Sequence, residues 1–194
     1  MIFKNNFAFI QSMQEQPAVF FYGTAFFAVF LICMPLALAA ESFTADRGKI
    51  TFISTMDEEK ITGGGNRVTG FVDFDKSAIE IKVDLGDWTT GSKLQTMHLH
   101  EDYLETDIYP VSIFRGEIQK DKDVVRVEGM LELHGVKRNI SAICKLEKME
   151  NDTYHMTTQF ELKLTDYNIK IPSLLIMKLN NEISVKVDIN LRPR

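Results

Sequence analysis

The chain predicts an all-β domain of about eight antiparallel strands closed into a barrel, with one or two short helices in long loops and an apolar leader helix in front. Three observations predict it. Beyond Glu41 apolar and polar residues alternate at a period of two over most of the chain, the pattern of strands with one dry face and one wet face. Clusters rich in Gly, Asn and Asp separate these runs and supply turns. No helical pattern recurs between the strands, so the connections suit an antiparallel sandwich or barrel and not a parallel sheet.

Taken in order, residues 1–40 form the leader. From Pro17 to Ala40 no residue is charged, and the run from Ala18 to Ile32 is intensely apolar, so the segment is one that enters a membrane. It ends in Ala37-Leu38-Ala39-Ala40, small residues where a signal peptidase needs them for a cut after Ala39 or Ala40. The same stretch is long enough to span about 30 Å of hydrocarbon uncut. Two readings therefore stand, a cleaved export signal or a membrane anchor, and both have the domain over 41–194 exported. Phe30-Leu31-Ile32 before Cys33 lacks the small residue of a lipoprotein site.

Strands are predicted over 50–54, 68–74, 79–85, 111–118, 125–133, 140–146, 154–162 and 183–191. Turns are predicted at 63–66, 121–123, 134–135 and 150–152. Two stretches break the rhythm: 88–110, with a short helix around 94–103, and 165–181, which holds Pro172 and an apolar run at 174–177. About eight strands is the count at which a barrel interior can hold one small ligand. Alternation places Gly70, Gly116 and Gly129 among the inward residues, where they either leave space for a ligand or mark bends in the wall.

An apolar fraction of 45% and a charged fraction of 25% support one packed core. The net charge of −5, with Lys and Arg scattered among Asp and Glu, argues against nucleic acid, which needs a basic face. With the leader gone Cys144 is a lone cysteine that cannot form an internal disulfide, and it reads as a small buried hydrophobe. The chain has no Gly-x-Ser-x-Gly elbow, no phosphate loop and no paired-Cys motif, so binding is expected and not catalysis, with no cofactor. His98 and His100, followed by Glu101 and Asp102, could serve a metal or acid–base chemistry only if an extended backbone turned both rings to one side. Trp88, Tyr103, Leu104, Tyr109 and Phe114 lie in or beside the long excursion, placed to close one end of the barrel, where a plug and a ligand wall would use the same residues. His134 is expected to face outward at its turn with a local hydrogen bond.

The run His98-Leu99-His100-Glu101-Asp102-Tyr103-Leu104-Glu105-Thr106-Asp107-Ile108-Tyr109-Pro110, followed by Phe114-Arg115-Gly116, resembles the central signature of the YceI-like family. Gly129-Met130-Leu131-Glu132-Leu133-His134-Gly135-Val136-Lys137-Arg138 is similar to the family's strand, His-Gly turn and next strand, and Asp166-Tyr167-Asn168-Ile169-Lys170-Ile171-Pro172 matches near the C-terminus. This resemblance implies a lipocalin-like barrel in the bacterial periplasm that holds a polyisoprenoid, a quinone-like lipid or another long-chain lipid inside, with membrane contact for ligand exchange. It also implies that His98 faces the ligand at the barrel mouth. Two positions depart from the family pattern: His100 stands where many members have Arg or Lys, and Tyr103-Leu104 where many have two aromatics.

Overall fold

The alternating runs form strands, and most of them pair with a neighbour in the chain. The computed structural model describes residues 41–56, 59–171 and 180–194; the predicted leader over 1–40 and the apolar run at 174–177 lie outside them. The strands are β1 (Ser42–Met56), β2 (Glu59–Gly65), β3 (Val68–Asp73), β4 (Ala78–Asp84), β5 (Thr89–Thr90), β6 (Val111–Asp121), β7 (Val124–Leu133), β8 (Val136–Lys148), β9 (Tyr154–Lys163) and β10 (Glu182–Pro193). All pairs are antiparallel, and β10 returns to β1 from Phe43↔Pro193 to Ile53↔Ser184, with a bulge between Ala45 and Arg47 that bends the closing strand. β2 and β3 lie end to end along β1, from Met56↔Glu59 to Ile50↔Gly65 and from Ala45↔Gly70 to Ser42↔Asp73. Counted as one wall position, they make this a closed eight-position barrel.

The sequence predicts a turn over 63–66, but Gly63 to Gly65 belong to β2. The Phe52 ring of β1 lies against Gly63, and a Cβ there would come within 2.6 Å of it. Glycine is what lets this strand pass beneath an aromatic ring, and a strand of glycines carries no alternation to read. At the other hairpins the expectation holds. Leu133 pairs directly with Val136, so His134 and Gly135 form a two-residue turn with φ of 51° and 72°, the geometry whose twist matches the strands it joins.

The seam between β8 and β9 is paired over only part of its length. β8 and β9 pair only from Lys145↔Thr157 to Lys148↔Tyr154, four residue pairs, whereas β7–β8 and β9–β10 run for ten pairs each. Over 138–144 and 158–163 no ladder pair joins the two strands.

The barrel end that carries the 73–78, 121–124 and 148–154 turns is filled by its own side chains. Phe43 meets Phe74 and Tyr154 edge-on at 5.7 and 5.2 Å, and Lys120 Nζ lies 4.9 Å from the centroids of both partner rings. Next to them Val72, Ile118, Val125, Leu146 and Leu191 are fully buried, each contributing about 1.5–3 kcal/mol by leaving water.

The opposite end is closed by the 85–110 excursion, whose base is tied by Leu85 N–H donating to Pro110 O at 2.8 Å. Asp87 Oδ2 accepts from the backbone N–H of Asn66 and Arg67 at 2.9 and 3.0 Å, pinning the excursion to the break between β2 and β3. Helix α1 (Lys93–His98) starts at Ser92, whose hydroxyl accepts from Gln95 N–H. A wide π-helical turn over Leu99–Tyr103 follows, with Leu104 N–H donating to Leu99 O at 2.9 Å. This widening turns Leu99, Tyr103 and Leu104 into the core, and the helical stretch falls where the sequence predicts it.

Candidate functional site

Between the filled end and the excursion lies a cavity of about 140 Å³. Its wall comes from inward residues of seven strands, among them Ile50, Ile81, Val127, Ala142, Phe160 and Val185, and from Leu85, Trp88, Leu104 and Ile169 at the excursion end. Among the described residues no lining residue is charged. The two hydroxyls present face carbonyls of the wall: Ser112 donates to Glu132 O and Thr158 to Ile143 O, both at 2.8 Å. With their hydrogens committed, they present only acceptor lone pairs to the interior. Such a chamber favours hydrocarbon and penalises any ion.

The predicted site residues divide. Trp88, Leu104 and Phe114 line the cavity. Trp88 stacks on Phe52 with centroids 5.8 Å apart and planes at 13°, and its carbonyl accepts from His100 Nε2 at 2.8 Å. Its Nε1 is buried without a partner among the described residues. Tyr103 is buried in the excursion's own core, outside the cavity lining. Tyr109 packs on the His134 ring at 4.3 Å. His98 does not line the cavity; its Nδ1 lies 2.7 Å from Asp102 Oδ2, one helical turn on. His100 pairs with Thr106 Oγ1 at 3.0 Å and with Trp88 O, so the two imidazoles hold separate partners and do not converge.

Gly70, Gly116 and Gly129 are absent from the cavity lining. Gly116 and Gly129 face each other across β6 and β7, so near that a Cβ on Gly116 would sit 2.7 Å from the Gly129 Cα. A Cβ on Gly70 would overlap the Glu80 carbonyl of β4. These positions let neighbouring backbones approach and the wall curve. The space inside comes instead from inward aliphatic residues of the excursion-side half, such as Ile183 and Leu133. Alternation identifies them as inward but does not tell which half of the barrel is filled.

His134 is not the outward residue the strand pattern suggests. It is 8% exposed, with Nδ1 3.1 Å from Tyr167 O and Nε2 2.7 Å from Glu105 Oε2. The left-handed backbone of the turn swings the ring out of strand parity and under the barrel end, where it joins the β7–β8 hairpin, the excursion and the 164–167 turn. Tyr167, itself buried there, has its phenol pKa raised by burial and by the neighbouring Asp166 charge.

Cys144 lies in the cavity wall, and burial pushes its thiol pKa up to about 11, against a smaller opposing hydrogen bond with Thr158. The thiolate is the reactive form, and two units above the ordinary 9.0 make it about a hundredfold scarcer near neutrality. Peptide-level mass spectrometry is therefore expected to find Cys144 alkylated by iodoacetamide at pH 8 about a hundredfold more slowly in folded protein than in urea. Stability carries the same sign. Below pH 9 both states keep the proton; above it the unfolded chain loses its proton first, so the Cys144 contribution falls away between pH 9 and 11, by about 2–3 kcal/mol. Wild type is expected to lose stability relative to Cys144→Ala across that window in denaturant titrations.

A closed antiparallel barrel with an apolar chamber and a capped end defines the class. Residues 42–191 match the model of the YceI-like domain, and the chain belongs to that family. Solved structures show the same fold. A polyisoprenoid binding domain from Saccharophagus degradans implicated in plant cell wall breakdown is 16% identical, with a TM-score of 0.67 over 78% of this chain and 98% of that one. BcnA of Burkholderia cenocepacia is 15% identical, with a TM-score of 0.65 over 74% and 95%. The YceI protein of Campylobacter jejuni is 16% identical, with a TM-score of 0.54 over 66% and 82%. A search of curated proteins found no match.

Proposed function

We propose that this protein binds a long apolar chain, a polyisoprenoid or a quinone-like lipid, in the barrel interior and carries or sequesters it without transforming it. The observation that carries this reading is the chamber: among the described residues every lining residue is uncharged and nearly all are hydrocarbon. Burial of a chain there gains about 25 cal/mol per Å² of apolar surface. The polyisoprenoid-binding description of the Saccharophagus degradans domain, which shares the fold, supports the same ligand class. The apolar run ahead of Glu41 supports export to the cell envelope, as a cleaved signal or an anchor, where such a lipid exchanges with a membrane.

Volume sets a condition. A cavity of about 140 Å³ is close to the roughly 150 Å³ that admits a single benzene, so a longer chain requires the wall to move. Trp88, the chain's one tryptophan, lines the cavity and reports on its contents. Titration with decylubiquinone is expected to quench Trp88 fluorescence saturably at one equivalent. Linear, unsaturable quenching equal to that of free tryptophan would refute the reading.

A further inference from the structure

We infer that the unpaired seam between β8 and β9 is the portal by which an apolar chain enters the barrel from the side. The inference rests on the binding function proposed above and adds the route. Beyond Lys145↔Thr157 the ladder stops although both strands continue, β8 from Val136 and β9 to Lys163. Side-chain bonds of Thr158, from its Oγ1 to Ile143 O and with the Cys144 thiol, pin one end of the slot, and Arg138 Nε donating to Asp166 O at 3.0 Å pins the other. From Ile143 to Arg138 the slot runs roughly 17 Å at about 3.3 Å per residue.

Both banks of the slot are walls of the cavity. Ile140, Ala142 and Cys144 on β8 and Thr158, Phe160 and Leu162 on β9 all line it. At the flanking β7–β8 and β9–β10 seams, parting the strands means breaking ladders of ten residue pairs; here the strands part by moving side chains. The wall is also thin at this place, because Ile140 borders both the cavity and a hollow on the outer surface between β6, β7 and β8.

The outer face beside the slot suits a hydrocarbon. Ile143 is 60% exposed and Met130, paired with the neighbouring backbone at Asn139, is 45% exposed. The outward β8 residues between them, Asn139 and Ser141, are uncharged. The capped end also exposes apolar residues, Leu94 and Ile108, but there, among the described residues, the excursion is held by Asp87, by the Leu85–Pro110 bond and by His134. A seam that widens also supplies the volume that a chain longer than a benzene needs.

Two pairs of exposed substitutions, neither of which disturbs the core, decide the route. Ile143→Glu with Met130→Glu places charge at the seam; Leu94→Glu with Ile108→Glu places the same charge at the capped end. Stopped-flow quenching of Trp88 by decylubiquinone in the full chain reads the uptake rate. The seam pair is expected to slow uptake about fivefold or more by removing the apolar landing surface, while the capped-end pair stays within about twofold of wild type. Equal rates for all three proteins, or slowing confined to the capped-end pair, would overturn the portal and leave lipid binding intact. Absence of saturable quenching in the wild type would overturn the binding function itself and the portal with it.

Discussion

Val127→Trp is expected to lower the affinity for a long-chain quinone about a hundredfold while the barrel stays folded. Val127 points inward from β7, is 6% exposed and lines the cavity opposite the capped end. An indole there occupies much of a 140 Å³ space. Excluding roughly 110 Å² of ligand contact at about 25 cal/mol per Å² removes close to 2.8 kcal/mol, about two decades in the dissociation constant. Overpacking costs about 1–3 kcal/mol of stability, which circular dichroism and a thermal melt will register as a shifted but cooperative transition. Glu128→Trp, one residue along and facing solvent, is the control that should bind as wild type does. The second tryptophan obscures the Trp88 signal, so isothermal titration is the suitable readout for both variants.

His134→Ala is expected to produce the largest loss of stability of any single polar substitution at the capped end. Tyr167 O can only accept, so Nδ1 donates to it, and Nε2 lies 2.7 Å from Glu105 Oε2 on the other side of the ring. Removing the ring leaves the Tyr167 carbonyl without its donor, takes away the contact with Glu105 and empties a buried site, at about 3 kcal/mol together. For a chain of this size that lowers the melting temperature by roughly 6–12 °C. Alanine is also strained at the φ of 51° that His134 holds. His134→Asn tolerates that backbone, so it should lose less, and a melting temperature equal to wild type in both variants would refute this role of His134.

The strands were legible because their burial is one-sided. β7, β9 and β10 show the period of two over their whole length, and their inward residues are the buried ones. β2 was not legible, since three of its seven residues are glycines placed by Phe52 and not by any local pattern. The π-helical turn after α1 and the seam at β8 and β9 share a cause. Both depend on what the chain packs against, and alternation continues through residues 140–146 and 154–162 whether or not the two strands pair.

The site was legible in part for the same reason. Trp88, Leu104 and Phe114 were expected at the capped end and do line the chamber. His98 and Tyr103 sit beside them in the chain, but the helical turns direct them to Asp102 and to the excursion's core. Strand parity misplaced His134 because the turn's left-handed φ breaks the alternation at that residue. The glycines are inward by parity, but their function lies in the backbone contacts a Cβ would block, which a one-dimensional pattern does not contain.

The central claim is that the chamber holds a long apolar chain, and mass spectrometry of organic extracts from gently purified protein tests it most directly. The account predicts a polyprenol or long-chain quinone present in near-stoichiometric amount, and its depletion in extracts of Val127→Trp. Repeated absence of any long-chain lipid from wild-type extracts, together with no uptake of added quinone or polyprenol, would contradict it.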